Sequence, residues 1–421
     1  MRKRLTVVLN SSTFRQTFVT SVATFLSAGL GAGFYLLLAR TLGPTEYGLF
    51  FLAITIMSVV AFVADLGLGQ TLIRFVSANR TNGKYFPYVN LALKIKLISG
   101  LLMIIVFGLF SPLLTRFVFH QPALSALLPL VGIGILSQLL FSLPMAIFQG
   151  LQKFWIWGGF QVGTNLTRLI IILPIIFFFK LSAFQAMAIF ILSYFLGVGM
   201  SWFWLDKKFL TARTTISETK SFWDFNKWTA VTGLLLALSS RVDIFLTARF
   251  LSLAQVGIYS LAVIMVSFLP QLAAAIGAVT TSKFAGFTDH ATAHKYLGKA
   301  ILFVGGVSVL VALAMIPVAL VVIKFAGKNN YALAFTPFLI LLAGQTVFLF
   351  TNPIRDSLMY YHAKPQFFFW LCLGQTITLI LAGWILIPRF GVNGSAISIL
   401  AGQAFTAVVS IWYYHKLSVN K

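Results

Sequence analysis

The chain reads "ARTLGPTEYGLFFLA" from Ala39 to Ala53 and "ARFLSLAQVGIYSLA" from Ala248 to Ala262. A shift of 209 residues lays Ala39-Arg40 on Ala248-Arg249, Leu42 on Leu251, Gly48 on Gly257 and Leu52-Ala53 on Leu261-Ala262. That shift is almost half of the 421 residues, so the repetition concerns the whole chain. The same register carries Arg74-Phe75 onto Lys283-Phe284, Ser99 and Leu101 onto Ser308 and Leu310, and Phe141 and Pro144 onto Phe350 and Pro353. Farther on the shift becomes 214, where Gln161, Thr164 and Pro174 meet Gln375, Thr378 and Pro388. Single matches between apolar sequences arise by chance, but a register held over four successive apolar runs is an internal repeat.

Hydrophobic residues make up 59% of the chain and charged residues 9%. A water-soluble fold of this length cannot keep so much apolar surface from water. The apolar runs are also each long enough, at about 20 residues, to cross a bilayer as helices. The expected class is an all-α polytopic membrane protein, and the 43 Phe suit a lipid-facing surface. The single cysteine, Cys372, excludes an internal disulfide and a cysteine-based metal site. The basic start "MRKRLTVVLNSS" is not followed closely by the apolar core and small-residue site of a cleaved signal, so the first apolar run reads as a retained helix.

Twelve spans are expected, near 15–39, 44–70, 86–110, 123–149, 154–179, 183–205, 225–249, 254–281, 297–323, 333–360, 366–387 and 391–414. Trp155, Trp202, Trp204, Trp228, Tyr360 and Trp412 fall where an interfacial aromatic belt places them. Lys and Arg gather on one side: Arg2, Lys3, Arg4 and Arg15; Arg74, Arg80, Lys84, Lys94 and Lys96; Lys207, Lys208, Arg213, Lys220 and Lys227; and the tail Lys416 and Lys421. The positive-inside rule then puts both termini in the cytoplasm. It also explains most of the net charge of +23 without invoking nucleic acid. Each half holds six spans, an even number, so the halves point the same way. The expected architecture is two parallel-repeat six-helix bundles around a central cavity, related by a pseudo-two-fold axis along the membrane normal. The expected boundaries are an N-terminal lobe at 1–205, a cytoplasmic linker at 206–224 and a C-terminal lobe at 225–421.

"ARTLGPTEYGLF" with "ADLGLGQTLIRF" (Ala64–Phe75) resembles the N-terminal signature of the bacterial polysaccharide transporter family, and "PRFGVNGSAIS" (Pro388–Ser398) resembles its penultimate loop and last-span start. Length and short loops look like the O-antigen flippases of that family. The resemblance implies a superfamily shared with multidrug exporters and the peptidoglycan-precursor flippase, and a pair of six-helix bundles around a cationic cavity. The implied substrate is an undecaprenyl-diphosphate-linked oligosaccharide, moved from the cytoplasmic to the periplasmic leaflet of the bacterial inner membrane. The lipid bilayer and other glycan-assembly membrane proteins are the implied partners, with no cofactor. The signature is mostly Gly, Pro and Leu, and it carries fold rather than chemistry.

The candidate chemistry lies in polar residues within the spans, where an Arg costs about 2.5–3.5 kcal/mol on insertion scales. In the fifth span Gln161, Thr164, Asn165 and Arg168 recur at i, i+3, i+4 and i+7, one helical face. The Arg168 guanidinium suits phosphate oxygens; the alternative is that this face joins helices, with Arg168 on backbone carbonyls. In the seventh span Arg241 and Asp243 are two apart, about 200° on a continuous helix, so Arg241 requires a partner from elsewhere. Asp243 is a candidate ion-coupling carboxylate or one half of a structural ion pair. The tenth span ends in Pro353, Arg355 and Asp356: Arg355 guides a headgroup at the cytoplasmic mouth or snorkels to lipid, and Asp356 is a second ion-coupling candidate. Asp65 is expected to cap or pin a helix break, and Gly29 with Gly33 to make a packing face. Arg74 and Lys283 read as interfacial anchors. The histidines show no metal spacing.

Three functions compete. A lipid-linked oligosaccharide flippase wants cationic groups inside; a cation-coupled multidrug or small-molecule exporter of the same fold wants carboxylates. A membrane enzyme wants a catalytic loop, and the chain offers no long interhelical loop, no paired carboxylates, no DxD and no G-x-x-x-x-G-K-[ST]. It is expected not to be an enzyme.

Overall fold

A computed structural model describes residues 12–287 and 289–419. The terminal charges Arg2, Lys3, Arg4 and Lys421 lie outside the described residues. All regular structure among those residues is helical: α1 (Ser12–Ala64), α2 (Leu68–Ala78), α3 (Phe86–Leu109), α4 (Leu128–Gly150), α5 (Phe154–Phe178), α6 (Ala183–Ser201), α7 (Ile216–Ser239), α8 (Val242–Phe250), α9 (Leu253–Val266), α10 (Phe268–Ala285), α11 (His290–Tyr331), α12 (Phe335–Phe350), α13 (Asn352–Asp356), α14 (Pro365–Phe390) and α15 (Val392–Val419), with short turns between. Ten helical stretches are long and apolar enough to span a membrane, and the first, Arg15–Ala64, is long enough for two spans. It divides at Gly43 (φ 70°, ψ 172°), followed by Pro44. Pro removes an N–H and crowds the preceding turn, while Gly accepts the left-handed φ that turns the chain. The seventh expected span was not continuous apolar helix but two helices, α7 and α8, separated at Ser240–Arg241.

The chain forms two compact units. One gathers the chain up to Tyr35 with Leu49–Arg241; the other joins Leu36–Gly48 to Val242–Lys421. The change of unit therefore falls at Arg241, inside the seventh span, and the tip of the first hairpin, Leu36–Gly48, belongs with the second half of the chain.

In the first unit, the core that positions polar residues packs α2, α3, α4, the segment after α6 and the start of α7. Leu68, Leu72, Val76, Val89, Leu143 and Phe222 are among its buried members. Phe148 stacks on Phe160 at 5.6 Å between ring centres, fixing α4 against α5. Outward residues such as Ile98, Leu109, Phe177 and Phe178 are largely exposed, as a lipid-facing surface requires. In the second unit, Leu246, Leu379 and Ile387 join α8 to α14, and Phe284, Leu297, Ile354 and Leu358 join α10, α11 and α13. Helices α6 and α9 begin on capping boxes, Ser182 with Gln185 and Ser252 with Gln255. Each box satisfies two end N–H groups that no helix bond can reach.

Candidate functional site: a cationic face in each unit

Span five carries its polar residues as the spacing predicts, on the side of α5 that meets α1 and α6. Ser27 donates to the Gln161 carbonyl at 3.1 Å, and Asn165 Nδ2 donates to Ser27 Oγ at 2.8 Å. The Asn165 carbonyl oxygen accepts from Arg168 Nη1 at 3.0 Å, and Arg168 Nε donates to Ser193 Oγ at 2.8 Å. The guanidinium carbon lies 3.6 Å from the centre of the Phe190 ring and 4.8 Å from that of Tyr194. Arg168 is only 5% exposed. Hydroxyl, amide and two aromatic faces thus solvate the cation, and among the described residues no carboxylate lies within ion-pair distance of it. Cation–π contacts contribute about 0.5–2 kcal/mol each but leave the net charge in place. Thr164 turns back on its own helix, donating to the Phe160 carbonyl at 3.0 Å, and Gln161 is half-buried. Tyr35 of α1 lies within electrostatic reach of Arg168, Tyr194 and Arg241. Ser27, Asn165, Arg168 and Ser193, drawn from three helices, form one polar locus of the first unit.

Arg241 occupies the break between α7 and α8, half-buried. The expected 200° separation of Arg241 from Asp243 presumes a continuous helix and does not apply across the break. Discontinuous spans are the places where transporters expose backbone dipoles to substrates and ions. Beyond the break, Asp243 lies in the first turn of α8, where the helix dipole favours a carboxylate. It is 6% exposed and accepts from Tyr259 Oη at 2.8 Å. Thr247 donates to the Asp243 carbonyl at 2.6 Å and bonds Ser395 at 2.8 Å, tying α8 to α15.

Arg355 is turned into the second unit. It is 7% exposed, because the helix stops at Phe350, restarts at Asn352 and turns its first residues inward. Its Nη2 donates to the Phe348 carbonyl at 2.9 Å and to Asn352 Oδ1 at 3.1 Å; its guanidinium sits 3.7 Å over the Phe348 ring; its Nε is buried without a partner. Asn352 Nδ2 in turn donates to Asp356 at 3.2 Å, and Thr280 of α10 donates to the same carboxylate oxygen. An amide thus stands between Arg355 and Asp356.

Asp65 behaves as expected of a break-pinning residue: its carboxylate accepts from the Gly69 N–H at 2.9 Å where α1 gives way to α2. Its partner was missed. Lys96, which reads as a charge of the loop region, lies inside α3, is fully buried, and forms an ion pair with Asp65 and a 2.8 Å hydrogen bond to Ser142. The signal was its depth, about 15 Å into the helix at 1.5 Å per residue. Arg74 lies over the Phe225 ring at 4.0 Å and Lys283 near the Tyr296 ring at 5.1 Å, so the two repeat-related cations both rest on aromatic faces. Gly29 and Gly33 face open space rather than a packed helix; Gly31 faces Asn165.

All-helical units with broken, apolar spans define a polytopic helical membrane protein, with one buried guanidinium, Arg168, that meets no carboxylate among the described residues. Solved structures agree on the fold. The chain is similar to the lipid II flippase MurJ in an inward closed conformation (TM-score 0.77, 15% identity, 96% of this chain and 88% of that one). It is similar as well to an inward-facing MATE-family multidrug resistance transporter of the MOP superfamily (TM-score 0.73, 14% identity, 93% of each chain). A MOP superfamily transporter from Pyrococcus furiosus matches at TM-score 0.63 and 13% identity, over 96% of this chain and 94% of that one. No curated protein matches by sequence. Residues 13–281 match the family described as polysaccharide biosynthesis protein, and the chain belongs to that family.

Proposed function

We propose that the protein is a flippase for an undecaprenyl-diphosphate-linked oligosaccharide, an O-antigen-type repeat unit, carried from the cytoplasmic to the periplasmic leaflet of a bacterial inner membrane. The observation that carries this reading is Arg168: a buried guanidinium solvated by Ser193, Asn165 and two rings, with no carboxylate among the described residues to neutralise it. A charge held so in a membrane protein is costly unless an anion arrives, and a diphosphate is the anion that the family membership and the lipid II flippase likeness favour. Arg168 and Arg241 are assigned to the diphosphate, with Asn165, Thr164 and Gln161 lining its approach. Arg355 is assigned to the headgroup in the second unit. Asp243 and Asp356 are assigned to ion coupling. Both termini face the cytoplasm, 206–224 is the cytoplasmic link between repeats, and the chain carries out no chemistry on the substrate.

A cation-coupled exporter is the second reading, favoured by the burial of Asp243 against Tyr259. Complementation separates the two. Arg168→Ala and Arg241→Ala, expressed at wild-type levels in a strain lacking its own flippase, are expected to lose surface glycan while drug susceptibility stays unchanged. Wild-type glycan from both variants would discard the assignment.

A further inference from the structure

Three helices of the first unit bring unspent hydrogen-bond donors to Arg168. A guanidinium carries five N–H groups. Arg168 spends one on Ser193 and one on Asn165; among the described residues the other three meet no partner, although the side chain is only 5% exposed. Ser27, Gly31 and Tyr35 follow one another at four-residue steps along the side of α1 that meets α5. Ser27 accepts from Asn165, Gly31 faces the Asn165 amide oxygen, and Tyr35, one turn on, comes within electrostatic reach of Arg168, Arg241 and the Tyr194 phenol. Tyr194 follows Ser193 on α6, with its ring centre 4.8 Å from the guanidinium carbon. Other aromatic rings seat both phenols: Phe50 and Phe51 lie 6.3 and 5.9 Å from Tyr35, and Phe141 and Phe190 lie 5.2 and 5.5 Å from Tyr194. Both tyrosines are half-buried, and among the described residues neither hydroxyl has a hydrogen-bond partner.

We infer that Tyr35 and Tyr194 are binding residues of this site, each donating its hydroxyl to an oxygen of the phosphate group that Arg168 holds. The inference rests on the diphosphate reading of Arg168 and adds two residues to it. Its basis is what the locus leaves unspent. A donor kept deep among apolar helices without a partner costs free energy. Here three N–H and two O–H groups lie together, while Arg168 itself occupies the amide oxygen of Asn165 and bonds the hydroxyl of Ser193. Phosphate oxygens accept from several directions at once, and they complement such a set. A protonated amine brings further donors and the wrong charge. The phenols orient the anion without adding to the Coulomb hold of the guanidinium groups. Their rings are already packed, so binding need only turn the hydroxyls, and little order has to be created when the ligand arrives. Phenylalanine keeps that packing and removes the donor alone.

The test titrates the full-length protein in detergent with geranyl diphosphate and, separately, with inorganic pyrophosphate. Binding is followed by calorimetry, and the phenol carbons by NMR of protein labelled with carbon-13 at tyrosine Cζ. In the parent, geranyl diphosphate is expected to move two tyrosine resonances, one missing from Tyr35→Phe and the other from Tyr194→Phe. Each variant is expected to bind about tenfold more weakly at an unchanged melting temperature, the loss of one hydrogen bond to a charged group. Tyr331→Phe, which removes a hydroxyl bonded at 3.0 Å to the Ala39 carbonyl in the second unit, is the control and is expected to bind as the parent does. Parent affinity in both Tyr35→Phe and Tyr194→Phe, or no moving resonance at saturating geranyl diphosphate, overturns the assignment. The two ligands separate it from the transport reading. Pyrophosphate bound as tightly as geranyl diphosphate, with the tenfold losses intact, keeps the tyrosines and removes the lipid-linked substrate. Glycan restored by the parent, with parent affinity in both variants, removes the tyrosines alone.

Discussion

Arg168 and Lys96 show two ways of holding a cation among apolar helices. Lys96 is neutralised: its ammonium pairs with Asp65 and bonds Ser142. Breaking such a buried pair strands one charge and costs about 3–5 kcal/mol, whereas replacing both partners with apolar or neutral groups is often tolerated. Lys96→Met alone is therefore expected to lower the melting temperature in detergent sharply, and Lys96→Met with Asp65→Asn to recover most of it. Equal melting temperatures for the single and double variants contradict the pair. Arg168 is solvated but not neutralised, which is the condition for meeting an anionic group. Lysine keeps the charge without the planar fork that reaches Ser193 and Asn165 together. Arg168→Lys is expected to retain partial transport with weakened substrate affinity, and Arg168→Ala to retain almost none. Identical substrate dependence of Arg168→Lys and the parent argues against a bidentate role.

At the scale of elements, the spans were legible because length and hydropathy suffice for them. The polar face of α5 was legible because its period of 3.6 is local. The interruptions were less so. Gly43–Pro44 announces itself by residue type. The break at Ser240–Arg241 carries neither Gly nor Pro. Pro353 suggests a bend, but the stop at Phe350 and the inward turn of Arg355 depend on Thr280, Asn352 and the Phe348 ring. Depth, rather than type, decides whether a lysine such as Lys96 belongs to a loop or a core. The break after Asp65 is fixed from a distance too: Asn226 Nδ2 donates to the Leu66 carbonyl at 2.9 Å, and Thr71 donates to Asn226 Oδ1 at 2.9 Å, so α7 clasps the start of α2 across more than 150 residues. Asn226→Ala is expected to raise hydrogen exchange in Asp65–Leu72 while leaving α5 and α6 unchanged. Unaltered exchange there removes the clasp. The capping boxes are local and easier: Ser252→Ala is expected to cost about 0.5–2 kcal/mol, read as earlier fraying of α9.

For the whole molecule, the repeat accounts for the fold, and the proposed function rests on the departures from it. The second half keeps Gln375 and Thr378 but has Leu379 and Ala382 where the first has Asn165 and Arg168. Its own charges, Asp243, Arg355 and Asp356, have no counterparts at the repeat-related positions Phe34, Ala146 and Ile147. On the proposed division of labour, one half receives the anion and the other couples to ions. Asp243→Asn keeps the Tyr259 contact but removes the ionisable group. It is expected to leave substrate binding intact and to abolish the dependence of transport on an imposed ion gradient; a full gradient response in that variant assigns coupling elsewhere. The central proposal is that the buried Arg168 and the half-buried Arg241 receive a diphosphate. The most direct measurement is leaflet-to-leaflet transfer of a fluorescent undecaprenyl-diphosphate oligosaccharide in proteoliposomes. Transfer slowed at least about tenfold by Arg168→Ala and by Arg241→Ala, the loss of one charge-assisted hydrogen-bonded contact each, is the predicted result. Transfer at the parent rate in both variants contradicts it.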